Sequence, residues 1–147
     1  MARPAVLVAV SVGVAEPAMF QWRNHPNQAA YIQPLAGGPR AAYAKYDLDY
    51  WGNSMLQALS HLDRQGRRET VYVSGWPLIV LQADLSRFPH MVLTEPGDPR
   101  VTHFVRLARG TRDELLRLDA SKHLEVRVST ADGALLCAVA PTDPLRH

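Results

Sequence analysis

"ETVYVSGWPLIVLQADLSRFPHMVLT", residues 69 to 94, decides the fold. It opens on a short β-rich run that ends at Gly75 and closes on a second, "HMVLT", at 90 to 94. Between them Pro77 suits the first turn of a helix, and Leu78, Ile79, Leu81, Ala83 and Leu85 supply its apolar face. A strand, a crossover helix and a second strand in one sheet form a right-handed parallel unit. The stretch therefore predicts a parallel pair at the heart of an α/β domain.

The flanks extend the pattern. Upstream, Ser54 followed three residues later by Gln57 has the form of a capping box. Met55, Leu56, Leu59 and Leu62 then recur at helical spacing, and Gly66 stands where a C-terminal cap belongs. Downstream, "EPGDP" at 95 to 99 is a turn and "VTHFVRLA" at 101 to 108 alternates as a third strand. Thr111 and Glu114 repeat the capping-box spacing ahead of a short helix, "RDELLRL". Two β runs flank Asp132-Gly133, a hairpin signal because glycine accepts positive φ at little cost. The hairpin must add antiparallel strands. The expected class is α/β, with a small mixed sheet, a parallel strand–helix–strand unit and a C-terminal β-hairpin.

Composition bounds the function. The chain has 147 residues, room for one domain and one modest core. A net charge of +2, without a Lys/Arg run, argues against a nucleic-acid partner. Cys137 is the single cysteine and sits in an apolar run, so it reads as a small buried hydrophobe and cannot form an internal disulfide. The six histidines show no ligand spacing, so neither metal nor cofactor is expected. No serine stands in a G-x-S-x-G elbow. The strand-to-helix turn "VSGWP" at 73 to 77 lacks the glycine fingerprints of phosphate-binding loops, and tight packing accounts for Gly75 and Trp76.

The amino end differs from the rest. "PAVLVAVSVGVAEPAMF", residues 4 to 20, is strongly apolar, and its unbroken part, Ala5 to Ala15, is about half the ~20 residues of a membrane span. Three readings are open. The segment is a signal peptide with Gly13-Val14-Ala15 as its small-residue cleavage site, the end of a transmembrane helix, or a core element of the domain. Residues 21 to 45 then carry Pro26, Pro34, Pro39 and Gly37-Gly38, which reads as an extended connector with at most a short helical turn.

"KYDLDYWGNS", residues 45 to 54, holds the one acid pair that invites a chemical role. In an extended segment Asp47 and Asp49 face the same way and can reach one ligand. They equally suit the amino end of the helix near Ser54, where the dipole favours acids. No acid–base partner stands nearby in the sequence.

Taken together, residues 25 to 54 resemble a segment near the carboxyl end of bacterial GT-C membrane glycosyltransferases, the dolichyl-phosphate-mannose–protein mannosyltransferase superfamily. That family has a last transmembrane helix, a pattern like H-P-Y-Q-x-x-Y-F-N-x-L-x-G-G-x-x-G-A, a D-Y-W-G motif and a small extramembrane α/β domain. His25, Pro26, Gln28, Tyr31, Leu35, Gly37 and Gly38 match, followed by Asp49, Tyr50, Trp51 and Gly52, with Asp47 just ahead. Asn27, Ile32-Gln33 and Ala41-Ala42 depart from the pattern.

The resemblance implies a division into three parts. Residues 1–20 would end a transmembrane helix and be the membrane partner, 21–52 would be the connector with the D-Y-W-G motif, and 53–147 a small extracytoplasmic α/β domain. It also implies a donor sugar on a polyprenyl or dolichyl phosphate. The catalytic acid would lie in an amino-terminal membrane portion that this chain lacks, leaving no catalytic residue here. The competing readings are a standalone exported α/β binding module with a signal peptide, and a small enzyme using Asp47 and Asp49.

Overall fold

The computed structural model describes residues 3–43, 45–49, 52–74 and 85–141. The helix expected from Pro77, together with Gly75, Trp76, Tyr50 and Trp51, lies outside the described residues.

Five strands form one mixed sheet: β1 (Glu69–Ser74), β2 (Met91–Thr94), β3 (His103–Leu107), β4 (Val126–Ser129) and β5 (Leu135–Ala140). Their order is β2-β1-β3-β5-β4. β1 runs parallel to β2 and β3, with Glu69 opposite Met91 and Val71 opposite His103. β5 is antiparallel to both β3 and β4. The parallel β1–β2 pair and the carboxyl-terminal hairpin are both present, and the class is α/β.

Three layers follow from side-chain alternation. Helix α3 (Asn53–Asp63) lays Met55, Ala58, Leu59 and Leu62 on the face bearing Val71, Val73, Val105, Cys137 and Val139. The opposite face, with Leu136 and Ala138, is covered by α4 (Arg112–Ala120) through Leu115 and Leu118. The connector joins that second layer through Ala30, Ala42, Tyr43 and Leu48. All six residues of β5 are buried, because this strand is covered on both faces and paired on both edges. Cys137 is fully buried among them, and desolvation pushes its thiol well above the ordinary value.

The connector is more helical than its prolines suggest. Two 3₁₀ turns (Gln28–Ala30 and Pro34–Ala36) and a short α2 (Gly38–Ala42) occupy it. Pro34 and Pro39 sit in the first turns of these elements, where a missing N–H costs nothing and a fixed φ helps.

Helix α1 spans Arg3–Arg23. Pro4–Arg23 is long and apolar enough to cross a membrane by length and composition, and none of that apolar window is buried against the rest of the chain. It is not a core element. Residues 4 to 15 are all exposed, and contact with the domain begins at Glu16.

Candidate functional site

The capping box expected at Ser54 is replaced by a cap from upstream. Gly52, at φ 68°, occupies the N-cap position and offers no side chain. Asp49 takes over: its Oδ1 accepts from the Asn53 N–H and its Oδ2 from the Ser54 N–H, each at 3.0 Å. The Ser54 hydroxyl also donates to Oδ2. A carboxylate has acceptor capacity for all three donors, whereas a serine hydroxyl can satisfy one backbone N–H. Gln57, freed from the box, accepts from Asn27 Nδ2 at 2.9 Å.

Asp47 does not share this role. It is half exposed and lies 3.5 Å from Arg109 Nε. Arg109 stands just beyond the carboxyl end of β3 and also donates from Nη2 to the Asp49 carbonyl at 3.4 Å. The two acids therefore take separate partners: one holds a helix start, the other an arginine at the strand edge. The Asp49 carboxylate is taken up by the start of α3, and the Asp47 carboxylate faces Arg109. This edge is nonetheless where open α/β sheets bind ligands, at the carboxyl ends of parallel strands.

Tyr31, Gly37 and Gly38 lie at a second place, beside the last turns of α1. Tyr31 donates its hydroxyl to Glu16 Oε2 at 2.6 Å, and its ring meets Phe20 edge to face at 5.1 Å. The carboxylate holds the Tyr31 phenol above its ordinary pKa, because that hydrogen bond and the negative charge both favour the protonated form. Asn24 is buried, and its Oδ1 accepts from the Ala131 N–H at 2.7 Å in the β4–β5 turn. Gly37 and Gly38 have φ of 94° and 68°. A Cβ on Gly37 would lie 2.5 Å from Ala41 Cβ, so glycine is required there by both space and backbone. The backbone N–H of Arg40 donates to Asp132 Oδ2 at 2.9 Å, and its guanidinium reaches the Gly133 carbonyl at 2.8 Å.

These contacts enclose a cleft of about 460 Å³ between α1, the Pro34–Pro39 segment and the hairpin turn. Phe20, Ile32 and Pro39 give it an apolar lining, with Glu16 and Arg23 on one wall and Asp132 on the other. His25 and Pro26 stay outside it. His25 is exposed with its Nδ1 2.5 Å from Gln28 Nε2, and the Pro26 carbonyl accepts from Asn53 Nδ2 at 3.2 Å. Among the described residues, no group of three or more His, Cys, Asp or Glu side chains could hold a metal ion.

Sequence reasoning missed Glu16, Arg40, Arg109 and Asp132 as site-forming residues. Only Asp132 carried a local signal, and that signal was for a turn. The others act through partners 15 to 93 positions away, a distance no spacing pattern encodes. Comparison with protein-family models, with curated proteins and with solved structures finds no match to this chain.

Proposed function

We propose that this chain is the carboxyl-terminal extracytoplasmic part of a membrane glycosyltransferase of the GT-C class. Its donor would be a sugar on a polyprenyl or dolichyl phosphate, and the catalytic acid would lie in a membrane portion ahead of this segment. One observation carries the reading: the family-like residues join an apolar helix to an α/β domain. Tyr31 holds Glu16 and Phe20, Gly37-Gly38 turns the chain back toward Asp132, and Asp49 starts the domain's first helix. Residues used this way belong to a junction, and no reacting group is among them. Residues 4 to 15 of α1 are exposed and apolar, as a lipid-facing stretch is.

The DNA ahead of the Met1 codon tests this. The expected result is an in-frame extension encoding further apolar spans and an acidic extramembrane loop. A stop codon and ribosome-binding site directly upstream would overturn it. The purified chain alone is expected to transfer no sugar from a lipid-phosphate donor, since the donor pocket and acid must be held together.

A second reading has its own support. Contact with the domain begins at Glu16, immediately after Gly13-Val14-Ala15. Removal of residues 1 to 15 as a signal peptide would leave every contact described above intact. Intact-mass measurement of the cell-derived protein separates the two: a mature amino terminus at Glu16 selects an exported α/β module, and an uncleaved chain selects the membrane reading.

A further inference from the structure

We propose that the turn at residues 33–37 is a lipid-contacting foot that sets the depth of the α/β domain against the bilayer, with Leu35 entering the acyl-chain boundary. This rests on α1 lying in a membrane, and on no part of the transferase assignment. Leu35 is 100% exposed at the apex of the Pro34–Ala36 turn, with no protein surface to cover it. From Tyr31 to Pro39 the chain carries no charged side chain. An uncharged turn tipped with a fully exposed leucine can enter a lipid boundary without burying a charge.

The fold places this turn on the membrane side. After Asn24 the chain doubles back along α1, so that Tyr31 reaches Glu16 and Phe20. Glu16 lies eight residues, about 12 Å, closer to the apolar end of the helix than Asn24. Pro34 and Gly37 line the same cleft as Glu16 and Met19. The chain then withdraws, and at Arg40 it is tied to Asp132, beside the Ala131 that holds Asn24. Amino-terminal to Glu16, α1 is exposed and apolar through residues 4 to 15. Along α1, a bilayer that takes up those turns therefore lies nearer to Tyr31, the residue that leads into the 33–37 turn, than to the hairpin turn held at Asn24. Trp22, 87% exposed, and Arg23 lie about 9 to 10 Å farther along the helix, at the depth of the headgroups, where such side chains are favoured.

The test uses the full chain in vesicles of phosphatidylcholine and phosphatidylglycerol. Three single-cysteine labelling sites carry an environment-sensitive fluorophore: Leu35→Cys, Ala9→Cys and Glu95→Cys. The buried Cys137 does not compete for the label. Ala9 reports the helix, and Glu95 follows β2, the sheet edge farthest from the hairpin turn. Lipids brominated at shallow or deep positions serve as quenchers. The expected result is loss of fluorescence at 35 with shallow bromines, at 9 with deep bromines, and at 95 with neither, together with a blue shift at 35. Quenching at 9 with a water-exposed, unquenched label at 35 overturns the foot while leaving the membrane helix standing. No quenching at either site overturns both. Circular dichroism of each labelled chain verifies the fold.

Discussion

Asp49 takes three donors, two of them backbone N–H groups of the first turn of α3, and it is 8% exposed. Asp49→Ala leaves those groups without their acceptor, and the expected loss is about 1–2 kcal/mol, read from urea melts at neutral pH. Asp47→Ala removes a half-exposed ion pair and is expected to cost less than about 0.5 kcal/mol, which distinguishes the two acids experimentally. Tyr43 presents a second residue-scale case. Its hydroxyl donates to the Leu115 carbonyl at 2.7 Å, and burial pushes its pKa up to about 12. A raised folded-state value means that the folded chain keeps a proton the unfolded chain releases. The associated stability is complete below the ordinary tyrosine value near 10 and is lost as pH rises toward about 12. Tyr43→Phe is expected to cost about 1 kcal/mol at neutral pH and to flatten that alkaline decline, measured as the difference between wild-type and variant melts from pH 9 to 11.5.

At the scale of elements, α3 and α4 begin by different devices. Helix α4 has the reciprocal box that its spacing announces: Glu114 N–H donates to Thr111 Oγ1 at 3.4 Å, and Thr111 N–H donates to Glu114 Oε2 at 2.8 Å. Thr111→Ala is therefore expected to cost about 1 kcal/mol in a chemical melt. The Thr111 backbone N–H, then its hydroxyl, hold the Glu114 carboxyl below its ordinary range. The stabilisation is present above the ordinary glutamate pKa and fades as pH falls through the folded value, and Glu114→Gln should abolish that acid dependence. The connector has its own requirement at the left-handed Gly37, where a Cβ meets Ala41 at 2.5 Å. Gly37→Ala is expected to destabilise by more than about 1 kcal/mol and to weaken Tyr31 contact with α1, visible as a change in tyrosine fluorescence.

The whole molecule joins a three-layer domain to one exposed helix. Ala30, Ala42, Tyr43 and Leu48 lie in the same cluster as Leu115, Leu118 and Leu136, so the connector covers one face of the sheet. A chain of residues 24–147 keeps that layer, the Asn24–Ala131 bond and the Asp49 cap, and discards the bare apolar turns. It is expected to be a soluble monomer with a cooperative melt. A chain of residues 53–147 loses the cap and that cover, and is expected to melt without cooperativity or to aggregate, while the full chain associates with detergent. Size-exclusion chromatography and thermal melts of the three chains decide it.

The strands around Val71, Leu93 and Val105, the α3 stripe of Met55, Leu59 and Leu62, the box at Thr111 and the turn at Gly133 were all legible in the sequence. Each is a local matter: period two or 3.6, a cap three residues from its partner, a glycine where φ is positive. The apolar character of residues 4 to 15 was legible for the same reason. Which acid caps α3, where Asp47 points, and how far the domain climbs α1 were not. Those depend on Asp49 reaching past Gly52, on Arg109 arriving from the end of β3, and on Tyr31 returning to Glu16. A hydrogen bond or ion pair between distant positions leaves no periodic trace in the chain, so only the packing of the three layers could decide them.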